Sequence, residues 1–166
     1  MDTEDLFGMA EEIEEVERLA DPETPYRVLV TGSRALVDRE LLFSVLDDLL
    51  VDPEHKPFNG DLGFKHNVTL IVHGGAKGAD SLAEEWVRSR SQNRDLDLHQ
   101  VLGSEIHPAE WERYGPRSAG MIRNSEMVKA GANICVGFPI GRSPGTRGCM
   151  DLASRAGIKV VNATGL

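Results

Sequence analysis

The stretch from residue 70 to residue 86, LIVHGGAKGADSLAEEW, decides the fold. It opens as an apolar run, breaks at Gly74, Gly75 and Gly78, and resumes with Leu82, Ala83 and Trp86 on one helical stripe that Val87, the next residue, continues. A strand that is apolar without alternation is buried on both faces, as strands in parallel sheets are. Three glycines in so short a loop make either a tight turn or a place where a ligand comes close to the backbone.

The same strand-then-helix unit repeats outward from this stretch. Residues 27 to 31 read as a strand and 39 to 50 as a helix with Leu42, Val45, Leu46 and Leu49 inward. The strand at 68–72 is followed by the helix at 80–90, and 96–102 forms a weaker third strand. Helices at 117–130 and 146–156 flank a strand at 133–138, and 158–162 closes the pattern. Residues 51–66 form a long polar connection. Strands joined by helical crossovers predict an α/β domain, Rossmann-like and three-layered, with a five-stranded, mainly parallel sheet of order 3-2-1-4-5. It covers residues 26–166. Residues 1–25 form an appended arm: Leu6, Met9, Ile13, Val16 and Leu19 recur every three or four residues on an acidic amphipathic helix that Pro22 and Pro25 end.

Bulk composition narrows the function. The chain has 166 residues, enough for one domain with a full core. No apolar run approaches the roughly 20 residues that span a bilayer, and the acidic N-terminus is unlike a signal peptide. Two cysteines, Cys135 and Cys149, make no disulfide framework, so a cytoplasmic protein is expected. A net charge of −9 disfavours duplex DNA as a partner, because such binding rests on Lys and Arg against phosphates.

In this topology ligands bind beyond the carboxyl ends of the strands, where the winding reverses. Three glycine-containing loops fall at that edge: Gly32-Ser33-Arg34, then His73 to Asp80 with Gly74, Gly75, Lys77 and Gly78, then Pro139 to Gly148 with Gly141, Gly145, Thr146 and Arg147. Backbone N–H groups at glycines and at helix N-termini suit an anion, so the loops are expected to hold a phosphate, with Lys77 helping to neutralise it. Thr146 either caps its helix or bonds a phosphate oxygen. Neither the dinucleotide G-x-G-x-x-G nor the Walker pattern is present. The stretch 115–128, GPRSAGMIRNSEMV, places Arg123 beside the small residues Ala119 and Gly120, where its guanidinium can bind phosphate, and Asn124 adjoins it. His73 ends its strand and either faces the site or makes a turn hydrogen bond. Asp80 most simply caps the helix beginning at Ser81, and Trp86 and Cys135 are core. Cys149, near a helix N-terminus, is a candidate for a lowered pKa. No metal-ligand spacing occurs, and no cofactor is expected.

Taken together, GSR after the first strand, HGGAKGAD after the second, PAEW followed by GPRSAGMIRNSEM, and the final GTRG loop resemble the SLOG superfamily. That superfamily groups the Smf/DprA proteins with the Lonely-Guy enzymes, and the motifs are similar to its YspA/YpsA-like branch of small bacterial and phage proteins. The resemblance covers about residues 26 to 162 and implies a domain that binds nucleotides or nucleotide-derived molecules at the glycine loops. It also implies pairing into a homodimer or higher homo-oligomer. The Lonely-Guy enzymes cleave nucleoside monophosphates with an arginine, which Arg123 resembles as a tentative catalytic residue, and a glutamate. At the glutamate's position in Gly-Thr-x-x-Glu this chain has Cys149, with Asp151 two residues on. Asp80, Asp151 and Glu126 are the acids available to replace it in a cleavage reaction. Three functions follow as expectations: a nucleotide-binding sensor or sequestering module, a phosphoribohydrolase-like enzyme, and a DNA-processing protein of the Smf/DprA kind.

Overall fold

A computed structural model describes residues 25–50, 68–92 and 101–165. Residues 1–24 of the acidic arm and the whole polar connection at 51–66 lie outside the described residues. Among the described residues, five strands alternate with four helices: β1 (Tyr26–Gly32), α1 (Arg39–Leu50), β2 (Val68–His73), α2 (Ala79–Ser91), β3 (Val101–Ile106), α3 (Trp111–Ala130), β4 (Ile134–Phe138), α4 (Pro144–Arg155) and β5 (Lys159–Asn162). The sheet order is β3-β2-β1-β4-β5, and every pairing is parallel, as the pattern of strands and helices predicts.

Alternation along the strands divides the core into two layers. Val28, Val30, Ile71, Val136 and Phe138 pack against Leu42 and Leu46 of α1 and Ala83 and Trp86 of α2. Leu29, Val72 and Cys135 point to the other face, onto Met127 and Val128 of α3 and Cys149 and Ala153 of α4. Both faces of the central strands are thereby covered, which is why β1 and β2 read as continuous apolar runs. The Trp86 indole donates a 2.9 Å hydrogen bond to Asp47 Oδ1, satisfying its one polar group inside the α1–α2 contact. Gly137 lies directly beneath Met150, where a Cβ would collide with the thioether. Among the described residues no helix is long and apolar enough to cross a membrane.

Two boundaries differ from the sequence expectation. The strand expected at 96–102 runs on to Ile106, and residues 96–100 lie outside the described part. Its continuation, Gly103-Ser104-Glu105-Ile106, hides from a propensity reading because its polar groups are satisfied across the sheet. Arg27 of β1 donates 2.6 and 2.8 Å hydrogen bonds to the two oxygens of Glu105. The helix expected at 117–130 begins earlier, at Trp111, and is broken at Gly115, whose φ of 76° and ψ of 173° are non-helical. Pro116 then restarts it, a position where its missing N–H costs nothing.

Candidate functional site

The loops after β1, β2 and β4 meet at the carboxyl edge of the sheet. The β1 loop lies between the other two: Ser33 N–H donates to the Phe138 carbonyl at 3.0 Å, and Ala79 N–H donates to the Ser33 carbonyl at 3.3 Å. Beside this junction, between α3, α4 and the end of β1, lies an open cavity of about 990 Å³. That is the upper end of the range for small-molecule sites.

The cavity gathers Gly32, Ser33, Arg34, Asp80, Arg123, Asn124, Gly145 and Thr146 from the expected set. Arg123 is fixed by two hydrogen bonds, Nη1 to the Gly74 carbonyl at 2.9 Å and Nε to Asn124 Oδ1 at 2.9 Å. Asn124 Nδ2 reaches towards the Gly145 carbonyl at 3.4 Å, so the same pair touches the loops after β2 and β4. Helix α4 opens against this pair. Its N-cap, Ser143, adopts φ 35° and makes no side-chain cap. The Ser143 hydroxyl is turned back on Ile140 instead, accepting its N–H at 2.9 Å and donating to its carbonyl at 2.6 Å. Thr146 stands inside the helix and therefore does not cap it. Around Gly145, a Cβ would meet nothing within 4 Å, so the backbone there faces open cavity.

The glycines of HGGAKGAD have a different employment. A Cβ on Gly74 would fall on the Arg123 guanidinium, and one on Gly78 would collide with the backbone of Ser33 and Arg34. Gly75 and Gly78 also hold φ values of 68° and 78°, in the region that favours glycine. These three residues let the loops pack on one another and on Arg123; none of the three lines the large cavity. Lys77 is exposed and outside the lining as well. Gly141 and Arg147 are likewise outside it: Arg147 turns onto its own loop, donating to the carbonyls of Gly141 at 3.0 Å and Arg142 at 3.1 Å.

Two expectations about titratable groups are corrected. Asp80 does not cap α2, which begins at Ala79. Its Oδ2 accepts the N–H groups of Gly74 and Ala76, each at 3.1 Å, and so ties the preceding loop to the helix. Burial pushes its carboxyl up, opposed by those N–H groups, by His73 and by Arg123. Cys149 is fully buried and its thiol is pushed up by desolvation rather than lowered by the helix end. Cys135 beneath it is pushed up to about 12 by the same cause. The glutamate position of the resembling enzymes thus lies inside the core, and Asp151, two residues on, is the α4 carboxylate at the cavity wall.

His73 lies on the far side of Asp80, in a second cavity of about 480 Å³. Its Nδ1 accepts the Gly75 N–H at 3.1 Å, which leaves Nε2 to donate to Glu84 at 2.8 Å. Burial pushes the Glu84 carboxyl up, but hydrogen bonds from Ser104 and His73 outweigh it and hold it low. The turn hydrogen bond is therefore real, and the ring does not reach the large cavity.

Sequence reasoning missed Trp111, Pro116, Met121 and Ser143, all of which line the cavity. The signal available was the PAEW stretch, in which a tryptophan follows directly on a Pro-containing loop.

Compared with known proteins, residues 26–114 match the family model described as YspA, cpYpsA-related SLOG family. The match takes in β1 to β3 and the loops after β1 and β2, and it stops short of Arg123 and α4. The chain is also similar to the Gene 61 protein of Mycobacterium phage D29. The two are 43% identical over 136 residues, which are 82% of this chain and 94% of the phage protein.

Proposed function

The chain belongs to the YspA, cpYpsA-related SLOG family, and from that premise we propose that it binds a phosphate-bearing nucleotide or nucleotide-derived small molecule in the large cavity. The observation that carries this reading is the start of α4. Gly145 and Thr146 line the cavity at a helix N-terminus without a side-chain cap, with Arg123 and Asn124 in the same lining. Unpaired N–H groups, a positive helix end and a guanidinium complement a phosphate together.

The protein acts as a sensor or sequestering module rather than as a fast hydrolase. Cleavage of an N-glycosidic bond needs a carboxylate near the departing base or the ribose. The residue at the family-like position, Cys149, is buried in the core and cannot serve. Phosphoribohydrolase-like cleavage remains the second reading because Asp151 and Asp80 both border the cavity, and Asp80 is buried enough to hold a proton above the ordinary carboxylate range. Self-association into a homodimer or higher homo-oligomer in the cytoplasm completes the proposal.

Native mass spectrometry of the purified protein, followed by incubation with a nucleotide panel and chromatography of free base and ribose phosphate, tests both parts. A bound nucleotide without turnover is the expected outcome. Rapid release of base from any member would establish the enzyme instead, and failure of every nucleotide to bind would overturn the proposal.

A further inference from the structure

Trp111 is the largest apolar side chain at the cavity, and it is 43% exposed. The break at Gly115 separates its turn from the rest of α3, and the ring lies across Gly120, where a Cβ would sit 3.7 Å from Cη2. Arg34 approaches the ring from the β1 loop, its guanidinium carbon 5.4 Å from the centroid. Among the described residues this is the one interaction the Arg34 guanidinium makes, and the residue is otherwise exposed. A half-exposed indole under a guanidinium with no carboxylate partner leaves apolar surface at the mouth of a polar cavity. Stacking of a flat aromatic group is the interaction that would cover it.

We infer that Trp111 and Arg34 form the seat for the nucleobase: the Arg34 guanidinium, which covers the indole at 5.4 Å, swings outward to admit the base onto the Trp111 ring and stacks on the base's outer face. The assignment rests on the cavity being a nucleotide site and adds where the base goes. Both partners recognise a π face rather than a hydrogen-bonding edge, so the seat accepts purines and pyrimidines alike. Discrimination among bases is accordingly weak.

Tryptophan fluorescence reads the seat directly, because the chain has two tryptophans and the other, Trp86, is fully buried between α1 and α2. The full chain is titrated with AMP, GMP, CMP and UMP, and separately with ribose 5-phosphate. Nucleotides are expected to quench Trp111 and ribose 5-phosphate to bind with little quenching. Trp111→Ala should weaken the nucleotides roughly 5- to 150-fold while leaving ribose 5-phosphate unchanged. Trp111→Phe, which keeps a ring, should restore most of the loss. Nucleotide binding with unaltered fluorescence, or with unaltered affinity in Trp111→Ala, would overturn the base seat and leave the phosphate site standing. No binding of either nucleotides or ribose 5-phosphate would overturn both.

Discussion

Gly74→Ala is a single-methyl test of how Arg123 is held. A Cβ at residue 74 would lie 2.9 Å from Arg123 Nε and closer still to Nη1 and Cζ. The backbone at Gly74 has no positive φ, so alanine there meets steric conflict with the guanidinium rather than conformational strain. The guanidinium is the end of a flexible side chain and leaves, giving up its bonds to the Gly74 carbonyl and Asn124 Oδ1. Hydrogen bonds from a charged group contribute about 1.5–3 kcal/mol net of solvation, and because Asn124 borders the cavity, where water can replace its bond, the loss is chiefly that of the bond to the Gly74 carbonyl, about 2 kcal/mol. For a chain of this size that lowers the melting temperature by about 4–8 °C. Arg123→Ala alone costs a similar amount, since it leaves the Gly74 carbonyl and the buried Asp80 without their cationic neighbour. In the double variant the methyl enters space already vacated, so the second substitution is nearly free. The coupling energy is therefore about 2 kcal/mol. Urea unfolding of the four proteins measures it. Additive losses would show that the methyl at residue 74 acts through something other than Arg123, and an unperturbed Gly74→Ala would refute the packing itself.

Two further predictions concern pH. The Arg27 guanidinium, with His107, holds the Glu105 carboxyl at about 2 against an ordinary 4.5, so the stabilisation is present above pH 4.5 and lost as pH falls towards 2. Glu105→Gln should be less stable at neutral pH and show a flatter acid limb in urea unfolding; parallel acid limbs would contradict the pairing. Asp80 runs the other way. Its folded pKa is raised above the ordinary 3.8, so its contribution is present below that pH and declines as pH rises through the folded value. Asp80→Asn keeps an oxygen for the Gly74 and Ala76 N–H groups and should gain stability relative to the parent as pH rises from 3 to 7. A constant difference across that range would refute the desolvation cost.

The sheet was legible in the sequence because burial on both faces makes parallel strands apolar throughout, and each apolar run ends in a loop that opens a helix. Strand β3 was the weak point. Glu105 and Ser104 read as loop residues until Arg27 and Glu84 are known to face them, and such long-range pairing leaves no local mark. The site was legible by position rather than by role. The loops do converge, but Gly74 and Gly78 are small for the sake of Arg123 and the β1 loop, whereas Gly145 is small beside open cavity. A glycine's sequence neighbours do not say which of these holds. Trp111 was not legible as a site residue, because the break at Gly115 separates its turn from the rest of α3 and no periodicity marks such a break.

The phosphate seat at the start of α4 is tested most directly by calorimetric titration of matched nucleotide and nucleoside pairs against the parent and Gly145→Val. Beyond its own turn of helix, nothing lies within 4 Å of the position a Cβ would take at residue 145, so the variant should fold, with a melting temperature within about 2 °C of the parent. The parent should bind each nucleotide at least about tenfold more tightly than its nucleoside, the worth of one charge-assisted hydrogen bond or more. In Gly145→Val that preference should disappear. Equal affinity for nucleotide and nucleoside in the parent, or an undiminished preference in the folded variant, would place the phosphate elsewhere and contradict the site.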